Sequence, residues 1–403
     1  MRPKAETSGW PALTHQTQTW ISKIAETGPD AGLRSRFNGE YQSAVPAHIE
    51  NLDVQISSDT LQLAEAATEV LVRFDNELGS EIAPFASLLL RSEAVASSRI
   101  ENLTASARSI LSAELGVTGK ANATLIAANT RAMQSALELA DALTPGTVLA
   151  MHRTLMESEP EHTPGKWRNE PVWIGTSEIS PIGAAYVAPD YARVPRLMDD
   201  VMAFARRDDI PRLAQAAITH AQFETIHPFS DGTGRTGRAL LQSMMRGKGL
   251  TRNVTIPVSA GLLTGTGTYH ASLTSYRDGD VEPLVRLMAE ASLLAVDNAR
   301  QLVAEVHEVQ KGWRSTIKAR SDSAVWRVLD LIARQPVINA EAVANHLDIA
   351  PSNTYVHLKT LTDAGVLKAK TEYKHGMFWR SDEILATLDQ FAKRAGRRGY
   401  VNK

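Results

Sequence analysis

The stretch His227-Pro228-Phe229-Ser230-Asp231-Gly232-Thr233-Gly234-Arg235-Thr236-Gly237-Arg238 decides how the rest of this 403-residue chain is read. Its residue types suit one polyphosphate. A histidine can take a proton, an acidic residue can hold a metal, glycines let the backbone approach an anion, and two arginines sit three residues apart. The preceding residues, Pro211 to Ile226, read as a helix, with proline at its start and apolar or small side chains throughout. Pro228 biases His227 away from helical geometry, so the chain is expected to turn there. The glycines make the turn, and Arg235 to Met245 reads as a second helix carrying Leu240, Leu241, Met244 and Met245. The loop therefore feeds a helix N-terminus, where free N–H groups and the dipole favour a bound phosphate. Arg235 and Arg238, at i and i+3, share a face at that end. Two cations beside the positive end of a helix oppose its dipole, and a bound anion is the simplest compensation.

Composition bounds the remaining classes. The chain is 43% hydrophobic and 22% charged, ordinary values for a soluble globular protein of two or three domains. It has no cysteine, which excludes a disulfide scaffold, thiolate metal sites and cysteine nucleophiles and fits a reducing cytoplasm. The polar stretch Met1 to Trp20 lacks a signal core, and no run approaches the roughly 20 apolar residues of a membrane span. The formal net charge of −2 divides unevenly: residues 1–319 hold 30 Lys and Arg against 36 Asp and Glu, residues 320–403 hold 13 against 9. That mild basic bias permits nucleic-acid contact without requiring it.

Periodicity predicts a mainly α fold. Residues 1–50 are poorly periodic, with Trp10, Trp20 and Pro46 as scattered anchors. Helical patterns cover Ser58–Asn76, Ile82–Asn102, Ala105–Leu115, Ala123–Leu143, a segment from Pro145, Val194–Arg206, Ala271–Tyr276 and Val281–Val306. Between them, Val172-Trp173-Ile174 and Ala185-Tyr186-Val187 are short β-type runs separated by Gly, Ser and Pro, which predicts a hairpin with a long loop. At the C-terminal end, helices are expected at Ala324–Ala333, Asn339–Asp348 and, N-capped by Ser352 and ended by Gly365, up to Ala364. Lys368–Tyr373 and Met377–Arg380 then flank Lys374-His375-Gly376 as a hairpin. Three helices followed by a hairpin predict a winged helix-turn-helix. The basic Lys393–Arg398 end is read as solvated and frayed.

The central stretch closely resembles the signature of the Fic family, His-Pro-Phe-x-Asp/Glu-Gly-Asn-Gly-Arg-x-x-Arg, with Thr233 in place of the asparagine. The resemblance implies that His227 deprotonates a target protein's hydroxyl and that Asp231 holds Mg²⁺ on the phosphates of ATP. It implies that the backbone from Gly232 to Gly234 cradles the α- and β-phosphates and that Arg235 and Arg238 bind the outer ones. Thr236 and Gly237, between the arginines, count with the nucleotide-binding set. Tyr269 is a candidate for the adenine pocket, with core packing the equal alternative. His220, seven residues before His227, reads as a hydrogen-bonded core histidine. Gly265-Thr266-Gly267 lacks the ending of a phosphate loop and is set aside.

Ser97-Ser98-Arg99-Ile100-Glu101-Asn102 resembles the family's inhibitory motif, Ser/Thr-x-x-x-Glu-Gly/Asn, matched by Ser97, Glu101 and Asn102. In the family that glutamate pairs with the second motif arginine, here Arg238. A carboxylate in a guanidinium fork excludes the γ-phosphate that needs the same donors. The hairpin at residues 172–187 resembles the family's flap, which holds the target by main-chain pairing. The expected layout is an N-terminal helical region with the inhibitory helix over 1–110, a catalytic core over 111–315 and a winged helix-turn-helix over 320–392.

The resemblance implies a cytoplasmic protein adenylyltransferase held back by Glu101, moving AMP from ATP to a Ser, Thr or Tyr hydroxyl. A de-adenylylating or dual enzyme, and a DNA-binding regulator with a nucleotide-sensing core, are the alternatives. Asn353, Tyr355, His357, Lys359, Lys368, Lys370, Lys374 and Arg380 are the candidate DNA contacts. A homodimer is compatible with either reading.

Overall fold

The computed structural model describes residues 9–22, 37–78, 85–117, 119–175, 177, 179–372 and 376–395. Ile82 to Pro84 of the expected second helix, Thr176 and Glu178 of the hairpin loop, Tyr373 to His375 of the C-terminal hairpin and Gly396 to Arg398 lie outside them. In chain order the elements are β1 (Thr14–Trp20), β2 (Gly39–Val45), α1 (Ser58–Leu78), α2 (Ala86–Ile100), α3 (Ala107–Glu114), α4 (Ala121–Glu138), α5 (Pro145–Leu155), β3 (Trp173–Ile174) and β4 (Tyr186–Val187). They continue with α6 (Val194–Arg206), α7 (Arg212–Ile226), α8 (Thr233–Gly247), α9 (Val258–Leu262), α10 (Thr266–Arg277), α11 (Glu282–Thr316) and α12 (Val325–Arg334). The last are β5 (Val337–Asn339), α13 (Ala340–Leu347), α14 (Pro351–Asp363), β6 (Lys368–Glu372), β7 (Gly376–Arg380) and α15 (Asp382–Ala395). The fold is mainly α with small β-hairpins, as the periodicity predicts.

The chain forms two compact units, one of residues 1–65, 135–245 and 267–288, the other of 66–134, 246–266 and 289–403. In the first, α7 is central. Every residue from Leu213 to Ile226 is buried, and α6, whose Leu197, Met198, Val201 and Phe204 are buried, packs along it. Two buried glutamines of α7 find partners there: Gln215 Nε2 donates to the Phe204 carbonyl at 2.7 Å and Gln222 Nε2 to the Ala47 carbonyl at 2.9 Å. α5 starts in a reciprocal cap: Thr144 Oγ1 accepts from Thr147 N at 3.2 Å, and Thr147 Oγ1 accepts from Thr144 N at 3.0 Å, with Pro145 at the first helical position. The hairpin forms where expected, with Trp173 opposite Val187 and Ile174 opposite Tyr186.

The first unit also holds a strand pair that residue pattern does not predict. β1 and β2 run antiparallel with Thr14 opposite Val45 and Trp20 opposite Gly39. Thr14-His15-Gln16-Thr17-Gln18-Thr19-Trp20 carries β-branched threonines but no apolar alternation, so the usual strand signal is absent.

In the second unit, buried Glu93 on α2 accepts from Ser259 Oγ at 2.6 Å and from Ser259 N at 2.9 Å, capping the short α9. Asp75 on α1 gathers the backbone N–H groups of Arg252, Asn253 and Val254 at 2.8–3.0 Å. Glycine is required where α9 meets α11, since a Cβ on Gly261 would lie 2.3 Å from the Ala291 carbonyl oxygen. The C-terminal sheet runs in the order β5-β7-β6, adding a third strand to the expected hairpin. α14 begins at Pro351 with Ala350 in the cap position, so Ser352 lies in the first turn rather than at the N-cap. Proline at the first helical position replaces the hydroxyl cap. α15 is an addition to the expected elements; its apolar face, Ile384, Leu385, Leu388 and Phe391, is buried. Among the described residues, no helix is long and apolar enough to cross a membrane.

Candidate functional site

α7 ends at His227, which adopts the left-handed conformation with φ 49° and ψ 64° and donates its N–H to the Phe223 carbonyl at 2.9 Å. A non-glycine residue there costs about 1–2 kcal/mol, so the surroundings must hold it. Pro228 forbids helical continuation, and Arg168 grips the turn. Arg168 is 3% exposed. Its Nε donates to the His227 carbonyl at 2.8 Å, and its backbone N–H donates to the Pro228 carbonyl at 3.0 Å. Burial pulls its pKa down to about 10, which leaves it protonated at neutral pH.

Phe229, fully buried, anchors the loop by stacking on His152 with centroids 3.6 Å apart and ring planes 2° apart; Trp167 stacks on it at 5.2 Å. His152 is itself buried. Its Nδ1 accepts from Gly165 N at 3.0 Å, so Nε2 carries the proton and donates to the Asp231 carbonyl at 3.1 Å. Burial lowers its pKa to about 4. The imidazole is thus a neutral strut under the loop, although in the sequence it is only one helix position among several.

Asp231 points outward, 47% exposed at its side chain. Its Oδ1 accepts from Gly232 N at 2.6 Å, and its Oδ2 lies 3.5 Å from Arg235 Nη2 and 4.0 Å from His162 Nε2. Glu159, His162 and Asp231 offer ligand atoms within 4.8 Å of one another. Two carboxylates and an imidazole fit a divalent cation, and the oxygen donors suit Mg²⁺. Neither Glu159 nor His162 belongs to a motif, and the signal for them is only their loop position after α5.

Gly232 has φ +73°, and a Cβ there would meet Met156 Sδ at 2.9 Å, so glycine is needed for this turn. α8 starts at Thr233, two residues earlier than the sequence suggests, because Gly234 is helical and its neighbours tolerate the first turn. Thr233 is buried, its hydroxyl 3.4 Å from the Phe229 carbonyl. Gly237 lies where α8 abuts α7: a Cβ would sit 2.6 Å from Glu224 Oε1 and 2.9 Å from the Phe223 ring.

Arg235 and Arg238 are 4% and 1% exposed at the N-terminal end of α8. Arg235 Nη1 is buried without a hydrogen-bond partner, as is the Thr236 hydroxyl. A buried guanidinium whose nearest carboxylate contact is 3.5 Å away is under-compensated. It sits at the positive end of a helix dipole, where an anion is favoured.

Tyr269 is buried against His220. The tyrosine hydroxyl donates to His220 Nε2 at 2.7 Å, and His220 Nδ1 donates to the Gly237 carbonyl at 3.1 Å. Burial first, then the Arg238 charge, lowers the His220 pKa to about 3. His220 is the hydrogen-bonded core histidine expected of it.

In the second unit, Ser97 is buried on α2, Glu101 is the exposed C-cap of that helix, and Asn102 follows in the left-handed region at φ 61°. On the C-terminal domain, Lys359 pairs with Asp363 at 2.7 Å, while Lys368 and Arg380 pair with Asp382 at 2.8 and 2.7 Å. A nucleic-acid phosphate would have to displace a carboxylate at each. Tyr355 and Val356 of α14 are instead exposed apolar surface.

Residues 142–245 match the family model described as Fic/DOC family. Over 145 residues the chain is 34% identical to protein adenylyltransferase fic-1 of Caenorhabditis briggsae, covering 36% of this chain and 26% of that protein. It is 30% identical over 152 residues to protein adenylyltransferase fic-1 of Caenorhabditis elegans, covering 38% and 28%. The chain therefore spans about a quarter of the length of these curated relatives. A solved Fic family protein from Desulfovibrio desulfuricans G20 superposes with a TM-score of 0.53 at 21% identity, covering 81% of this chain and 97% of that one, which is a likeness of fold.

Proposed function

We propose, from the Fic/DOC-family domain that the chain carries at residues 142–245, that it is a protein adenylyltransferase, a nucleotidyltransferase using ATP as co-substrate. The observation that carries this reading is Arg235, a buried guanidinium with an unpartnered Nη1 at the N-terminus of α8, one helical turn beyond Asp231. Such a group calls for an anion, and the motif that supplies it lies within the residues that match the Fic/DOC family model.

In this mechanism His227 accepts the proton of a target Ser, Thr or Tyr hydroxyl, and the freed oxygen attacks the α-phosphorus of ATP. The new O–P bond forms as the bond to the β-phosphate oxygen breaks, and pyrophosphate leaves. Histidine suits the task because its ordinary pKa lies near neutrality. The backbone from Gly232 to Gly234 approaches the phosphates, and Arg235 and Arg238 counter their charge, which is the main contribution a protein makes to such transfers. A magnesium ion, when bound, neutralises phosphate charge; Asp231 would hold it, with Glu159 and His162 beside it. The hairpin β3–β4 would hold the target segment by strand pairing.

Autoinhibition belongs to the same proposal. Glu101, at the C-cap of α2 and following the buried Ser97, would occupy Arg238 and exclude the γ-phosphate until released. The absence of cysteine fits a cytoplasmic setting. The C-terminal domain resembles a winged helix, and its exposed Tyr355 and Val356 favour a protein contact over a phosphate backbone. The reading is tested by which phosphate of ATP becomes bound to protein.

A further inference from the structure

Four successive carbonyls at the end of α7 accept hydrogen bonds from the segment that carries the flap. Tyr186 on β4 donates its hydroxyl to Thr225 O. Arg168 Nη2 reaches Ile226 O at 3.4 Å, Arg168 Nε reaches His227 O at 2.8 Å, and Arg168 N reaches Pro228 O at 3.0 Å. The last carbonyls of a helix have no partner within it, and water usually serves them. Here two residues serve them from inside the protein, and Arg168 alone serves three of the four, two through its guanidinium and one through its backbone N–H.

The same guanidinium holds both roots of the hairpin. Nη1 donates to Glu170 O at 3.0 Å, just before β3, and Nη2 donates to Pro189 O at 2.5 Å, just after β4. None of these acceptors is a carboxylate. Arg168 spends a buried charge wholly on main-chain carbonyls, which an arginine kept only for electrostatic balance has no reason to do. Its planar fork fixes directions as well as distances, and a lysine head group cannot reproduce them. Arg277 adds a second clasp, its guanidinium 3.8 Å above the Tyr186 ring.

We propose that Arg168 is a positioning residue that sets the backbone of His227 and the base of the flap together, so that the proton acceptor and the strand holding the target hydroxyl keep one fixed spacing. The inference rests on the transferase reading, since only there do the histidine and the hairpin serve one reaction. Arg168 touches no reacting atom in this role. It acts through the His227 peptide and the two ends of the hairpin.

The test uses the 403-residue chain carrying Glu101→Gly, alone and with Arg168→Lys or Arg168→Met. Single-turnover transfer of label from α-labelled ATP is expected to fall roughly 100-fold in Arg168→Met, the scale of an ångström-sized misplacement, with a smaller fall in Arg168→Lys. ATP affinity by calorimetry is expected to stay within roughly threefold, because the nucleotide contacts lie elsewhere. Amide hydrogen exchange is expected to rise together at residues 225–229 and at both hairpin strands, leaving α6 unchanged. The proposal is overturned if transfer is unaffected, if exchange rises in only one of the two segments, or if ATP affinity and melting temperature fall in step with the rate. If the Glu101→Gly parent transfers nothing, the transferase reading fails, and the exchange measurement still decides whether Arg168 couples the two segments.

Discussion

His152 and Asp231, 79 residues apart in the chain, are joined by a hydrogen bond of fixed polarity: His152 Nε2 donates to the Asp231 carbonyl at 3.1 Å because Nδ1 is already accepting from Gly165 N. The imidazole also forms the floor on which Phe229 stacks. Replacing His152 with alanine removes the stack and leaves a buried N–H and a carbonyl unserved. The expected loss is about 3 kcal/mol of stability, read as a lowered urea midpoint at pH 7. A midpoint unchanged from wild type would contradict this role.

Burial lowers the pKa of both His152 and His220, to about 4 and about 3. Each therefore binds its proton more readily in the unfolded chain, where the ordinary value is 6.5. Their contribution to stability is whole above that value and is lost as pH falls from 6.5 toward about 4 for His152 and about 3 for His220. With about 1.4 kcal/mol for each pH unit between the unfolded and folded values, each histidine contributes a few kcal/mol at most. Urea midpoints at pH 7, 5.5 and 4.5 should decline, and the decline should be shallower in His220→Phe than in wild type. Equal slopes would show that His220 does not carry the effect.

Three glycines divide cleanly by what a methyl group would meet. In Gly237→Ala the Cβ strikes Glu224 and Phe223 at the α7–α8 approach, and a loss of about 1–3 kcal/mol is expected. Gly232→Ala combines a left-handed backbone with the Met156 contact and should both destabilise the fold and weaken ATP binding. Gly267 in α10 has nothing within 4 Å of the added carbon, so Gly267→Ala should be neutral or stabilising by up to about 1 kcal/mol. Calorimetric melting of the three variants orders them, and a destabilised Gly267→Ala would break the pattern.

Much of this molecule is legible from residue pattern alone. The motif loop, the helices flanking it and the hairpin at 173–187 follow from proline and glycine placement and from helical period. What escapes such a reading has physical reasons. The strand Thr14–Trp20 is polar on both faces, so no alternation marks it. The helix Val258–Leu262 is a single capped turn whose cap, Glu93, is 166 residues away. Arg168 and His152 matter through main-chain carbonyls, and carbonyls leave no trace in a sequence. Thr233 shows the converse: a visible departure from the family signature whose side chain turns out to be buried beside Phe229 O.

The role proposed for His227 is to drive transfer of AMP from ATP to protein. Its most direct test incubates wild type, Glu101→Gly and Glu101→Gly with His227→Ala with Mg²⁺, cell lysate as target, and ATP labelled at either the α- or the γ-phosphate. Protein-bound α-label is expected in Glu101→Gly, less in wild type, none when His227 is alanine, and no retained γ-label in any sample. Absence of α-label in Glu101→Gly, or labelling that survives His227→Ala, would contradict it.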